Sequence, residues 1–135
     1  MVSYDQKTIG YINLFEKVTR AIVKDCFFVE DILYFVVQPG QLGKALGKGG
    51  VTVKRISSLL KKNIRVIEFN PEPTKFVANL IYPIKPVEIK RENERIIIKT
   101  NDNVEKGKIF GRAKTKFQML QEIVAKYFPV KIEVD

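Results

Sequence analysis

The residues best suited to chemistry lie between Leu42 and Lys62, in LGKALGKGGVTVKRISSLLKK. A short helical run, Gln41 to Leu46, meets Gly47-Lys48-Gly49-Gly50, and a second helical run starts at Val51. Glycines here leave no Cβ between the backbone and a ligand. The following helix turns its unpaired amides and the positive end of its dipole towards the same spot. Lys48 adds a mobile cation. A phosphodiester suits such a corner. Two other phosphate loops fail on spacing. Lys48 is followed by Gly49 rather than Ser or Thr, and Thr52 stands where a dinucleotide loop needs its third glycine. What fits is G-x-x-G between two helices, flanked by Leu46 and Val53. The motif by itself also fits a plain turn.

Charge separates the two. The chain of 135 residues carries 24 Lys and Arg against 15 Asp and Glu, a net charge of +9. From Gln41 to Ile67 there are seven basic residues (Lys44, Lys48, Lys54, Arg55, Lys61, Lys62, Arg65) and no acid. From Lys106 to Gln121 there are five (Lys106, Lys108, Arg112, Lys114, Lys116), again without an acid. A generic solvated surface mixes signs; two acid-free windows point to a polyanionic partner.

Other chemistry is poorly provided for. With no histidine and one cysteine, the common zinc sites and the Ser-His and Cys-His nucleophile pairs are excluded. Cys26 lies in the apolar run CFFV and reads as a small packed hydrophobe. No enzyme activity, metal or cofactor is expected. No apolar run approaches the roughly 20 residues that span a bilayer, and the first residues, MVSYDQKTIGY, lack a signal-peptide core. A cytoplasmic protein without a membrane partner is expected.

The elements that position the loop follow from periodicity. Asp5 to Lys24 predicts a helix with Ile9, Ile12, Phe15, Val18 and Ile22 as its inward stripe and Ser3 or Asp5 as cap. Cys26 to Gln38 predicts a hairpin about Glu30-Asp31, both strands central and buried. The second loop-flanking helix turns Val53, Ile56, Leu59 and Leu60 inward, and Ile64 to Phe69 reads as a strand. After Asn70-Pro71-Glu72-Pro73, a stiff connection, the pattern recurs. It gives a helix at Thr74 to Ile81 and a hairpin of Val87 to Lys90 with Arg95 to Thr100, its inner face Val87, Ile89, Ile96 and Ile98. A helix capped by Asn101 or Asp102 runs to about Phe110 and breaks at Gly111-Arg112-Ala113-Lys114. A helix from Thr115 to Tyr127 and a strand from Val130 to Val134 complete the order.

Both halves read α-β-β-α-α-β, and they match residue by residue at an offset of 64. Leu46-Gly47-Lys48 aligns with Phe110-Gly111-Arg112, and Val53, Ile56, Leu59 and Leu60 align with Phe117, Leu120, Ile123 and Val124. One residue further on, Ile67-Glu68-Phe69 aligns with Ile132-Glu133-Val134. Such a period outranks local motifs as evidence of organisation. Each unit, at about 65 residues, is near the lower limit for an independent core, so the two are expected to pack on each other and to melt together.

With order, repeat and LGKGGVTV in hand, the chain resembles a tandem pair of type II KH domains, and most of all the archaeal NusA-related transcription factors. The resemblance covers essentially the whole chain. It implies an α+β (KH type II) fold with domains at residues 1–70, with an intact GxxG, and 71–135, with a degenerate one. It also implies a monomeric single-stranded RNA-binding protein acting in transcription elongation or termination, with RNA polymerase as a further candidate partner. The RNA site it implies comprises Lys44, Leu46, Gly47, Lys48, Gly49, Gly50, Val53, Lys54 and Arg55, with Ile67 beside the bases. In the second domain the corresponding residues are Gly111, Arg112, Ala113, Lys114 and Lys116. There Lys114 stands at the second glycine position, where its side chain hinders close approach and a positive φ carries a penalty of about 1 kcal/mol. The alternatives are a ribosome-associated RNA-binding KH protein and a protein-interaction module using the basic surface.

Overall fold

The computed structural model describes residues 6–135. The chain divides into two compact units, Met1–Phe69 and Asn70–Asp135.

In the first unit α1 (Gln6–Thr19) precedes an antiparallel pair, β1 (Val23–Val29) and β2 (Ile32–Val37). Then come α2 (Leu42–Leu46), a 3-10 turn at Lys48–Gly50, α3 (Val51–Leu60) and β3 (Asn63–Glu68). β3 lies parallel to β2, giving the sheet order β1-β2-β3. The helices meet Leu33, Phe35 and Val37 of β2 in a core with Phe15, Cys26, Ala45 and Ile56. Phe15 stacks on Phe35 at 4.1 Å between ring centres.

α1 is shorter than the apolar spacing predicts, because Thr19 ends it. Its hydroxyl donates to the Phe15 carbonyl (2.7 Å) and accepts from the Ala21 amide (3.0 Å), and Arg20 turns to φ 65°. Ile22, expected in the helix stripe, is therefore outside it and exposed. The expected caps at Ser3 and Asp5 lie outside the described residues. The hairpin is not central on both sides: β2 is the middle strand and β1 an edge, which leaves Phe28 45 % exposed.

The second unit repeats the order as α4 (Pro73–Ile81), β4 (Glu88–Glu92), β5 (Arg95–Lys99), α5 (Asn103–Phe110), a 3-10 turn at Arg112–Lys114, α6 (Thr115–Ala125) and β6 (Lys131–Val134). β5 is central, antiparallel to β4 and parallel to β6. Asp102 caps α5 by accepting the Glu105 amide (2.8 Å), while the Glu105 carboxylate accepts the Asn101 amide. Val87 precedes β4 and is exposed, so the inner face rests on Ile89, Ile96 and Ile98.

Two alignments of the halves need correction. Ile132 pairs with Ile96 as Ile64 pairs with Leu33, so the counterpart of Ile132 is Ile64 rather than Ile67. Sequence likeness followed the Ile-Glu dipeptide; hydrogen-bond register decides, and the connection from α6 to β6 is the longer one. Leu59, expected inward, is 58 % exposed, whereas Ile123 is buried. In α3 the buried line runs through Ile56, flanked by the half-buried Val53 and Leu60.

Candidate nucleic-acid interface

α2 ends where the Gly47 amide donates to the Gly43 carbonyl (3.0 Å) and Gly47 itself turns to φ 71°, ψ 176°. That region is open essentially to glycine alone. A Cβ at Gly47 would also lie 2.9 Å from the Thr52 Cβ and 3.2 Å from the Thr52 amide nitrogen. The residue is thus fixed by the chain's own packing. Gly49 (φ 64°, ψ 21°) and Gly50 (φ 74°, ψ 15°) are left-handed, yet a Cβ on either would meet nothing within 4 Å. Open space stands over them. Gly50 is the N-cap of α3 and offers no side chain to its first turn, so the amides there are available to an external acceptor.

Lys44, Lys48, Lys54 and Arg55 are exposed around this corner, and Leu46 and Val53 are half-buried beside it. The floor is edge strand β3. Alternation along β3 puts Ile64 and Val66 on the helix side, where they pack against the core. Ile67, the residue expected beside the bases, points the other way and is buried to 4 %. Sequence reasoning missed Ile64 and Val66, although period-two alternation through the strand was the signal that names them. Leu46, Val53, Ile64 and Val66 supply apolar surface under an arc of cations, with no acid from Gln41 to Ile67.

The second loop keeps the backbone and changes the surface. Gly111 (φ 70°, ψ −178°), Ala113 (φ 53°, ψ 30°) and Lys114 (φ 61°, ψ 21°) follow the path of Gly47, Gly49 and Gly50. A Cβ on Gly111 would strike the Lys116 side chain, its Cβ only 2.8 Å away. Two L-residues therefore hold left-handed conformations here, at about 1 kcal/mol or more each. In place of Leu46 and Val53 stand Phe110 and Phe117, whose ring centres are 5.1 Å apart, and Lys114 Nζ lies 5.8 Å over the Phe110 ring. Arg112, Ala113, Lys114 and Lys116 are exposed. The apolar strip is filled by its own rings, and the corner over the loop carries two side chains.

Cys26 is 1 % exposed; burial, helped by the neighbouring Asp25 charge, pushes its thiol up to about 12. It belongs to the core. Among the described residues no group of His, Cys, Asp and Glu could hold a metal ion, and no helix is long and apolar enough to cross a membrane.

Comparison with known proteins bears on the same segment. The family model of the KH domain matches residues 10–71. The chain is 30 % identical over 128 residues to a protein of Methanocaldococcus jannaschii named "Probable transcription termination protein NusA", covering 91 % of this chain and 69 % of the relative. Proteins of the same name from Thermoplasma acidophilum and Halobacterium salinarum are 26 % and 27 % identical, covering 96 % and 88 % of this chain and 92 % and 87 % of theirs. The crystal structure of APE1850 superposes with a TM-score of 0.78 at 26 % identity, covering 98 % of this chain and all of that one.

Proposed function

The chain belongs to the archaeal NusA-related family, and from that premise we propose that it binds single-stranded RNA during transcription elongation or termination, through the Gly47–Gly50 corner of its first unit. The observation that carries this is a left-handed glycine pair with open space above it, at the uncapped start of α3, beside an apolar strip and an acid-free basic rim. The phosphodiester seats on the loop and first-turn amides, with Lys48 contacting phosphate and Lys44, Lys54 and Arg55 flanking it. Bases lie along Leu46, Val53, Ile64 and Val66. The strip holds no aromatic ring, which suits reading by base edges and apolar contact rather than stacking.

The second unit is, on this proposal, a second KH-type domain of the same element order, holding RNA more weakly through Arg112, Lys114 and Lys116 as point charges. The protein is a cytoplasmic monomer whose role is binding rather than catalysis. RNA polymerase is its proposed protein partner, because its relatives are named as probable transcription termination proteins.

The test is a salt series of binding to short single-stranded RNAs, with DNA and duplex controls. The log-log slope is expected to fall by about 0.7 per phosphate neutralised. A variant carrying Lys48→Asp and Gly49→Asp is expected to lose binding almost completely. Equal weak binding to RNA, DNA and duplex, indifferent to that variant, would mean a generic cationic surface.

A further inference from the structure

α3 separates two different surfaces. The glycine corner is at its N-terminus. At its other end, about 15 Å away for a helix of 10 residues, a pocket of about 580 Å³ is lined by Phe28, Asp31, Ser58, Lys61, Lys62 and Asn63. Phe28 is a ring 45 % exposed on edge strand β1, with Lys62 Nζ 5.4 Å from its centre. Lys61 is held at φ 54° as the helix C-cap, and Lys62 is fixed through its backbone, its amide donating to the Ser57 carbonyl and its carbonyl accepting the Ser57 hydroxyl. A built turn therefore carries both lysines at the pocket, with the Lys62 ammonium beside the exposed ring.

The second unit lacks this arrangement. By register Arg91, paired with Ile96, stands where Phe28 pairs with Leu33. At the offset of 64, Ala125, the last residue of α6, aligns with Lys61 and Lys126 with Lys62, so the ring and one of the two lysines are missing there. The aromatic ring with its two lysines is particular to the first unit.

We propose that this pocket is a second nucleotide site, which takes a base of the same RNA strand several nucleotides from the glycine corner. The base stacks on Phe28, and Lys61 and Lys62 receive the adjoining phosphate. Asp31 and Asn63 face the base edge. A carboxylate accepts from an exocyclic amine and repels a carbonyl oxygen, so cytosine or adenine is preferred to uracil. The site rests on the RNA-binding proposal above and extends its footprint along α3.

Binding of the full chain to a tetranucleotide and to a dodecanucleotide of mixed C and A separates the two ideas. The dodecamer is expected to bind more tightly, and a uridine-only dodecamer to gain less. Phe28→Ala, and separately Lys61→Ala with Lys62→Ala, should each weaken the C/A dodecamer at least about fivefold and leave the tetramer unchanged. The lysine pair should also lower the salt slope by about 0.7, the loss of one phosphate contact. If both variants keep dodecamer affinity, or weaken tetramer and dodecamer alike, the pocket is not a nucleotide site while the glycine corner stands. If the unmodified protein binds neither RNA, the corner falls and the pocket with it.

Discussion

Gly47 and Gly50 are both glycines of one motif, but they are glycine for different reasons, and alanine distinguishes them. At Gly50, alanine meets nothing within 4 Å and pays only for a left-handed φ of 74°, about 1 kcal/mol. At Gly47 the conformation of φ 71°, ψ 176° lies in a region that costs a side chain about 1–3 kcal/mol. The added methyl also lies 2.9 Å from the Thr52 Cβ and 3.2 Å from its amide nitrogen. Rotating the threonine side chain moves neither atom, so an overpacking cost of about 1–3 kcal/mol is added. Gly47→Ala should therefore lose about 2–6 kcal/mol, about 4 kcal/mol at the middle of both ranges. Urea unfolding followed by circular dichroism reads this directly. With m near 1–3 kcal/mol/M, the Gly47 variant should unfold at least about 1 M below the parent, and the Gly50 variant by well under half of that shift. Equal midpoints for the two variants would refute the claim that Gly47 is held by packing. A Gly50 loss as large as that at Gly47 would refute the open space over the loop.

Other outcomes follow from the same geometry. Grafting the second loop onto the first, with Gly49→Ala and Gly50→Lys, should cost about 2 kcal/mol in unfolding free energy yet reduce RNA affinity at least tenfold, because the fold accommodates both residues and the phosphodiester does not. Asp102→Ala should destabilise the chain by about 0.5–2 kcal/mol, since it frees the Glu105 amide at the start of α5; thermal melting measures it. Phe15→Ala, which empties a fully buried site stacked on Phe35, should cost about 3–5 kcal/mol by denaturant unfolding. Cys26 should resist alkylation in the folded protein at pH 8 and react once unfolded. Its thiol titrates near 12 in the fold against 9.0 as the ordinary value, so the unfolded chain releases that proton first. The Cys26 contribution is complete below pH 9 and is lost as pH rises towards 12. Replacing Cys26 by Ala should flatten the alkaline side of the stability curve.

Element order was legible because each helix and strand carries its own period, and a residue offset of 64 showed the duplication. The glycine corner was legible because few residue combinations serve close backbone approach. What escaped was decided across elements. Nothing local says that β1 is an edge strand, so the exposure of Phe28 was unforeseen. Ile67 is as apolar as Val66, and only the side of β3 from which the helices cover it makes Val66 a groove residue. Thr19 stops α1 through its own hydroxyl, although the apolar spacing runs on to Ile22. Lys114 was expected to hinder close approach to the second loop and to carry a penalty at positive φ; its φ is indeed 61°, and the backbone there keeps the angles of Gly50.

On the proposed reading, RNA lies on the Gly47–Gly50 corner. Backbone amide shifts followed by nuclear magnetic resonance during titration with a short single-stranded RNA test it most directly. The largest changes are expected at Gly47, Lys48, Gly49 and Gly50, continuing through Val53, Ile64 and Val66, with smaller ones at Arg112 and Lys114. Saturating shifts confined to other surfaces, with Gly47 to Gly50 unmoved, would contradict it.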